Sequence, residues 1–262
     1  MNASHAKKWR AGRFWWDGSL APNYGAVPLR AVIFDIDALA DLQADGHRQV
    51  FNAAFAAHGL PMRWTEARYE QLLTLPTEHQ RVLAELCKRG IHTECDVLTE
   101  RLAAQICRTK DLMFDEMILD AGLAPRSGLG DLLLDAFAAQ IPVGVVASGR
   151  RRWVQPLVRQ LAGDGLVETV VTADDLTGID AHRQVLAELG VLPQHALAIA
   201  GSAAGLRAAS AAGLATVLIG QADGRRPAAA VRSDYAADGA LRLDECRRVL
   251  GQWWARHAPT AA

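Results

Sequence analysis

Residues 29–34, Leu-Arg-Ala-Val-Ile-Phe, run directly into Asp35-Ile36-Asp37. The run is β-branched and apolar without alternation, the mark of a parallel strand buried on both faces. Four later segments carry the same mark: Ile141 to Ala147, Glu168 to Val171, Ala196 to Ala200 and Ala215 to Ile219. Helical patterns lie between them at Gly130 to Ala139, Trp153 to Leu161, His182 to Leu189 and Ala204 to Ala212. Strands alternating with helices of this length predict right-handed crossovers and an open α/β parallel sheet with helices on both faces. The span 44–117 breaks the rhythm. Its apolar residues recur at helical spacing, as in Phe51, Ala54, Phe55 and Leu98, Leu102, Ile106, with no convincing strand. The expected organisation is an N-terminal extension over 1–29, a core over 30–43 and 118–257, and a helical cap over 44–117 inserted after the first strand.

The 262 residues are 50% hydrophobic and 22% charged with a net charge of −1, which excludes disorder, collagen and coiled coil. Apolar stretches such as Ile141 to Ala147 fall far short of the ~18 residues a membrane helix needs. The N-terminus has no apolar segment of the secretory type, so a cytoplasmic location is expected. Cys87, Cys95, Cys107 and Cys246 match no zinc spacing and are too few for a disulfide scaffold; reduced, mostly buried thiols are expected. Residues 1–30 carry a local charge of +4 interleaved with Trp9, Trp15 and Trp16. Cations beside aromatics suit nucleic acid, but the remainder has no basic excess to extend such a face, so nucleic acid is not an expected partner. Together with Trp253 and Trp254, these residues place five of the seven tryptophans near the termini. Rings of this size are costly in water, so the extension is expected to pack beside the last helix, around Cys246 to Trp254, within one chain or through self-association.

In an open parallel sheet, ligands bind where strands end at their carboxyl side. There the first strand offers Asp35 and Asp37, whose side chains point differently, so that one can attack or hold a metal while the other moves protons. The second strand offers Ser148 and Gly149, then Arg150, Arg151 and Arg152 opening a helix: a hydroxyl, a free amide and a helix N-terminus suited to phosphate.

These signals in this order resemble the haloacid dehalogenase-like superfamily, on the branch of β-phosphoglucomutase and the CbbY-type sugar-bisphosphate phosphatases. The resemblance covers about residues 30–220. It rests on Phe34-Asp35-Ile36-Asp37, on His47-Arg48-Gln49 with Phe51-Asn52-Ala53-Ala54-Phe55 and Gly59-Leu60, and on Gly205-Leu206-Arg207-Ala208-Ala209 with Ala211-Ala212-Gly213. It implies that Asp35 attacks a phosphoryl group, that Asp37 is the acid and base, and that Mg²⁺ is held by Asp35, a backbone carbonyl and an Asp of the fourth motif. It also implies a phosphate-binding hydroxyl, matched by Ser148, and a charge-balancing Lys in the third motif. It makes His47, His79 and Arg81 the cap candidates for substrate contact. Two implied groups are missing. The lysines are Lys7, Lys8, Lys88 and Lys110, so none follows position 110, and no Asp or Glu lies between Leu189 and Ala222, which leaves Gly201 where the metal Asp belongs. Ala38 replaces the usual Gly, and Thr77-Glu78-His79 replaces a Gly-Gly-Lys substrate loop.

An oxygen-ligated Mg²⁺ site uses one or two carboxylates, so Mg²⁺ is expected to bind weakly, in the millimolar range, or not at all, and Gly201→Asp is expected to tighten it. Losing two charge-balancing groups at ~3 kcal/mol each slows phosphoryl transfer by some ~10⁴. Compensation through Arg150 to Arg152 or through Asp174 and Asp175 is the route back to activity. The expectation is therefore a member of the phosphosugar branch that binds a small phosphorylated metabolite, or a protein partner, with impaired turnover. The alternative is a slow phosphatase or phosphomutase with Asp35 as nucleophile.

Overall fold

The computed structural model describes residues 9–10, 13–14, 27–91, 96–176, 178–220, 228–237 and 239–257. Six strands form one sheet: β1 (Ala31–Asp35), β2 (Val143–Val146), β3 (Thr169–Val171), β4 (Ala196–Ala200), β5 (Ala215–Ile219) and β6 (Ala230–Arg232). Their order is β3-β2-β1-β4-β5-β6 and every neighbouring pair is parallel. β1 and β4 lie side by side at the centre, with Phe34 opposite Ile199. The uninterrupted apolar runs have their cause here, since all of β2, β4 and β5 is buried between two layers of helices. One layer holds Leu129 to Ala136 of α6 (Leu129–Ala138), Trp153 to Ala162 of α7 (Arg151–Ala162) and Leu243 to Leu250 of α10 (Leu243–His257). The other holds Val185 and Leu186 of α8 (Ala181–Leu189) and Ala209 of α9 (Ala203–Ala211).

After β1 comes one turn of helix, α1 (Ile36–Leu39), then a π-helical segment, Leu42–His47. Four helices follow as a separate unit before α6 and the next strand: α2 (Arg48–Ala57), α3 (Glu66–Leu72), α4 (Glu78–Lys88) and α5 (Asp96–Met117). They enclose a cluster of their own in which Trp64 meets Phe51 and Phe55 at ring separations of 4.8 Å and Tyr69 at 5.4 Å. Within this unit Glu85 is only 1% exposed and receives Arg68 Nε at 2.8 Å and Arg89 Nε at 2.5 Å. Burial alone pushes its carboxyl up, but the two guanidiniums outweigh that and hold it below its ordinary value of 4.5. Both arginines reach solvent, so Glu85→Ala leaves no buried cation behind and should cost about 2 kcal/mol rather than the 3–5 of a fully buried broken pair. The check is thermal melts from pH 7 downward; the pair's contribution begins to be lost as pH falls below 4.5 and is gone once pH passes the lower value of the folded carboxyl, so the difference should shrink over that acid window.

The strands differ from the sequence expectation at their edges. β1 starts at Ala31 because Arg30 instead donates its N–H to His195 O at 2.7 Å in the loop before β4. β6 carries no apolar run, being three residues with Val231 exposed, paired on one side only. Of the thiols, Cys246 is buried, Cys107 half-buried and Cys87 exposed, while Cys95 lies outside the described residues. Trp253 and Trp254 are half-buried against the core, and Trp15 and Trp16 lie outside the described residues. Among the described residues no helix is long and apolar enough to cross a membrane.

Candidate active site at the strand ends

β1 delivers Asp35 to the carboxyl edge of the sheet, and the turn of α1 places Asp37 beside it. Because β4 is the neighbour of β1, the loop after β4 reaches the same point, where Ser202 Oγ donates to Asp35 Oδ2 at 3.4 Å and accepts from Gly205 N at 3.1 Å as the cap of α9. The packing leaves no room for side chains on this loop. A Cβ at Gly205 would lie 1.9 Å from Asp35 Oδ2, and one at Gly201 would lie 2.0 Å from the carbonyl oxygen of Asp37 and 2.5 Å from Ala38 N. Glycine is required there for close approach of two backbones.

The carbonyl of Asp37 has a further partner. Arg126 donates to it from both Nε and Nη2 at 3.2 Å, and its own N–H bonds Leu39 O at 2.8 Å. Tyr235, fully buried, donates its hydroxyl to Ala38 O at 2.8 Å, so residues 37–39 are clamped from two directions. Burial pushes the Asp35 carboxyl up to about 8, with the charge of Asp37 adding to it. Asp37 is raised as well, first by burial, with Ser202 and Arg126 opposing the rise.

Across the sheet edge, Ser148 is exposed and its hydroxyl has no hydrogen-bond partner among the described residues. Gly149 lies under the ring of Trp153, where a Cβ would meet Cζ2 at 1.9 Å. The three arginines that follow are all paired. Arg150 is 3.8 Å from Asp115 of the cap, and Arg152 donates to the same carboxylate with Nε at 2.8 Å. Arg151 pairs with Asp175 at 2.5 Å while its N–H, the first of α7, donates to Asp174 Oδ2 at 2.7 Å. Asp175 also accepts from Thr172 N and Oγ1 at 2.8 and 2.6 Å. Asp174 and Asp175 are thus tied to the start of α7.

The cap brings together two of its three candidates and separates the third. His47 stacks on Phe114 at 4.5 Å, and Arg81 lies close enough to act on both His47 and the Tyr69 hydroxyl. Phe114 is in turn edge-on to Trp153 at 5.3 Å, and that ring lies over Gly149, so the cluster borders the strand-end loop that carries Ser148. His79 instead lies on the outer side against Glu100, 3.2 Å from its carboxylate. Residues that the sequence did not single out complete the cluster. Lys110, 4% exposed, bonds Glu78 Oε1 at 2.7 Å and sits 5.4 Å from the ring centre of Phe51 and 5.1 Å from that of Phe114. His47 Nδ1 lies 3.5 Å from the same Glu78 oxygen, but burial, with Lys110 and Arg81 beside it, pushes the imidazole down to about 3, so this is a neutral ring and not an ion pair. The one sequence signal for Lys110 is its place in the apolar stripe Ile106, Lys110, Phe114.

A family model described as haloacid dehalogenase-like hydrolase matches residues 32–219. Protein CbbY of Cereibacter sphaeroides is 31% identical over 197 residues, 72% of this chain and 84% of that protein. The plasmid-borne CbbY of Cupriavidus necator is 31% identical over 202 residues, 72% of this chain and 78% of that one. Among solved structures, CbbY of Rhodobacter sphaeroides in complex with xylulose-(1,5)bisphosphate superposes with a TM-score of 0.60 at 27% identity, covering 83% of this chain and 99% of that chain. A β-phosphoglucomutase from Clostridium difficile shares the fold, with a TM-score of 0.57 at 18% identity over 87% of this chain and all of that one.

Proposed function

Since the chain belongs to the haloacid dehalogenase-like hydrolase family, on its CbbY-like phosphatase branch, we propose that it binds a small phosphorylated metabolite between Asp35 and the cap and turns it over slowly or not at all. One observation carries this reading: the glycine at 201 sits against the Asp37 carbonyl with no space for a side chain. Members of the family use Mg²⁺, and the residues here do not fit a full site for it. Position 201 supplies no carboxylate, the Asp37 carbonyl already accepts two N–H groups of Arg126, and no cluster of three or more His, Cys, Asp or Glu suited to a metal occurs among the described residues. No step is therefore routed through a metal.

What the chain retains is a binding frame. Ser202 orients Asp35, and the unengaged hydroxyl of Ser148 is a donor for a phosphoryl oxygen. The test is a panel of phosphosugars assayed for phosphate release with and without Mg²⁺, alongside calorimetric binding. Binding with turnover ~10⁴ below that of ordinary enzymes of 1–10³ s⁻¹ is the expected result. Turnover within that ordinary range on any member of the panel would overturn the reading. The alternative, a slow phosphatase or phosphomutase, draws on the survival of Asp35 and Asp37 with Ser202 between them; it requires that the residual rate vanish in Asp35→Asn.

A further inference from the structure

The cap holds one buried ammonium, Lys110, with two carboxylates on it: Glu78 close by and, at 3.4 Å, the largely exposed Asp111. Lys110 is 4% exposed, and a cation so enclosed needs a counter-charge. Glu78, the nearer and less exposed of the two carboxylates, supplies most of it at 2.7 Å. This carboxylate is not free to swing away without loss, because Glu78 is the first residue of α4, capped by Thr77 Oγ1 on Gln80 N at 3.2 Å, where a helix favours negative charge. Beside the pair, His47 Nδ1 is buried without a hydrogen-bond partner. The imidazole is neutral, so it adds no positive charge for an anion.

We infer that Glu78 is a resident counter-anion that restricts the cleft to singly phosphorylated ligands whose far end is uncharged and carries hydroxyl groups. The inference rests on the proposed phosphate-binding function and specifies its ligand. A second phosphate brings a charge of about −1.5 to −2 and would have to expel Glu78 from Lys110 or lie against its carboxylate. A hydroxyl meets no such opposition. It can donate to Glu78, and because it both donates and accepts it satisfies His47 Nδ1 in either tautomer. The CbbY relative solved with xylulose-(1,5)bisphosphate provides the contrasting ligand.

The experiment is calorimetric binding of xylulose 5-phosphate and xylulose 1,5-bisphosphate in metal-free buffer to the wild type, Glu78→Gln and Lys110→Met. The wild type should prefer the monophosphate at least tenfold. Glu78→Gln should raise bisphosphate affinity at least tenfold with little change for the monophosphate, and Lys110→Met, which leaves the carboxylate unopposed, should lower bisphosphate affinity further. Opposite shifts from the two halves of one pair are not produced by loss of structure, and Lys110→Met keeps the test open if Glu78→Gln does not fold. A wild type that binds the bisphosphate as tightly as the monophosphate, or variants that leave the ratio unchanged, would overturn the role of Glu78 while the phosphate-binding reading stands. Bisphosphate binding gained only in Glu78→Gln supports the role of Glu78 even if the wild type binds neither ligand. No binding by any of the three proteins would overturn both.

Discussion

Gly201→Ala should lower stability by about 3 kcal/mol or more, at the top of the range for overpacking, because the added methyl would meet backbone and not a movable side chain. The atoms it would meet are Asp37 O at 2.0 Å, Asp37 C at 2.1 Å and Ala38 N at 2.5 Å. Residues 37–39 cannot easily yield, being held by Arg126 on one side and Tyr235 on the other. At roughly 2–4 °C per kcal/mol for a chain of this size, the melting temperature should drop by about 6–12 °C. Gly201→Asp carries the same Cβ and should fall at least as far. The expectation from sequence that Gly201→Asp tightens Mg²⁺ binding thus meets a steric obstacle: the loop lies against the Asp37 carbonyl, and the added side chain has to displace it. Thermal melts and a Mg²⁺ titration of both variants check the point. A Gly201→Asp protein that melts like the wild type and binds Mg²⁺ at micromolar concentration would show that the loop opens freely.

Asp35→Asn should stabilise the protein in metal-free buffer, and the gain should grow with pH. The ordinary carboxyl value is 3.8 and that of folded Asp35 is about 8. Between them the folded chain keeps a proton that the unfolded chain gives up, so stability falls as pH rises, by at most ~1.4 kcal/mol per pH unit. Asparagine removes that dependence while keeping an oxygen for Ser202 Oγ. Wild type and variant should therefore melt alike near pH 4 and separate by ~2 kcal/mol or more at pH 8, about 4–8 °C in favour of the variant. A variant that melts below the wild type at pH 8 would mean that the ionised carboxylate is itself held by a partner.

The central strands were legible in sequence because their surroundings demand one kind of residue. Ala196 to Ala200 and Ala215 to Ile219 are buried on both faces, and their limits in the structure are those of the apolar runs. The helix opening at the three arginines was legible, although its apolar pattern begins only at Trp153; what was not legible is that Asp174, 23 residues on, takes the N–H of Arg151. The acid pair and Ser148 follow from strand ends alone. Lys110 does not, since its ammonium replaces an apolar group within a regular stripe and only its meeting with Glu78, 32 residues away, explains it. His79 and Glu78 are neighbours in sequence, but one step along a helix turns a side chain by about 100°, enough to send one outward to Glu100 and leave the other facing Lys110. Gly201 was legible as an absence; that its backbone fills the space is a property of two loops together.

The ring of Trp153 touches both halves of the molecule, lying over Gly149 of the core and edge-on to Phe114 of the cap at 5.3 Å, with the ion pair of Arg152 and Asp115 alongside. The exposed hydroxyl of Ser148 thus lies next to the seam that fastens cap to core, and part of that fastening is a half-exposed ion pair. Dissolved salt screens such a pair, so the hold of the cap on the core should weaken as ionic strength rises while the ring contacts persist.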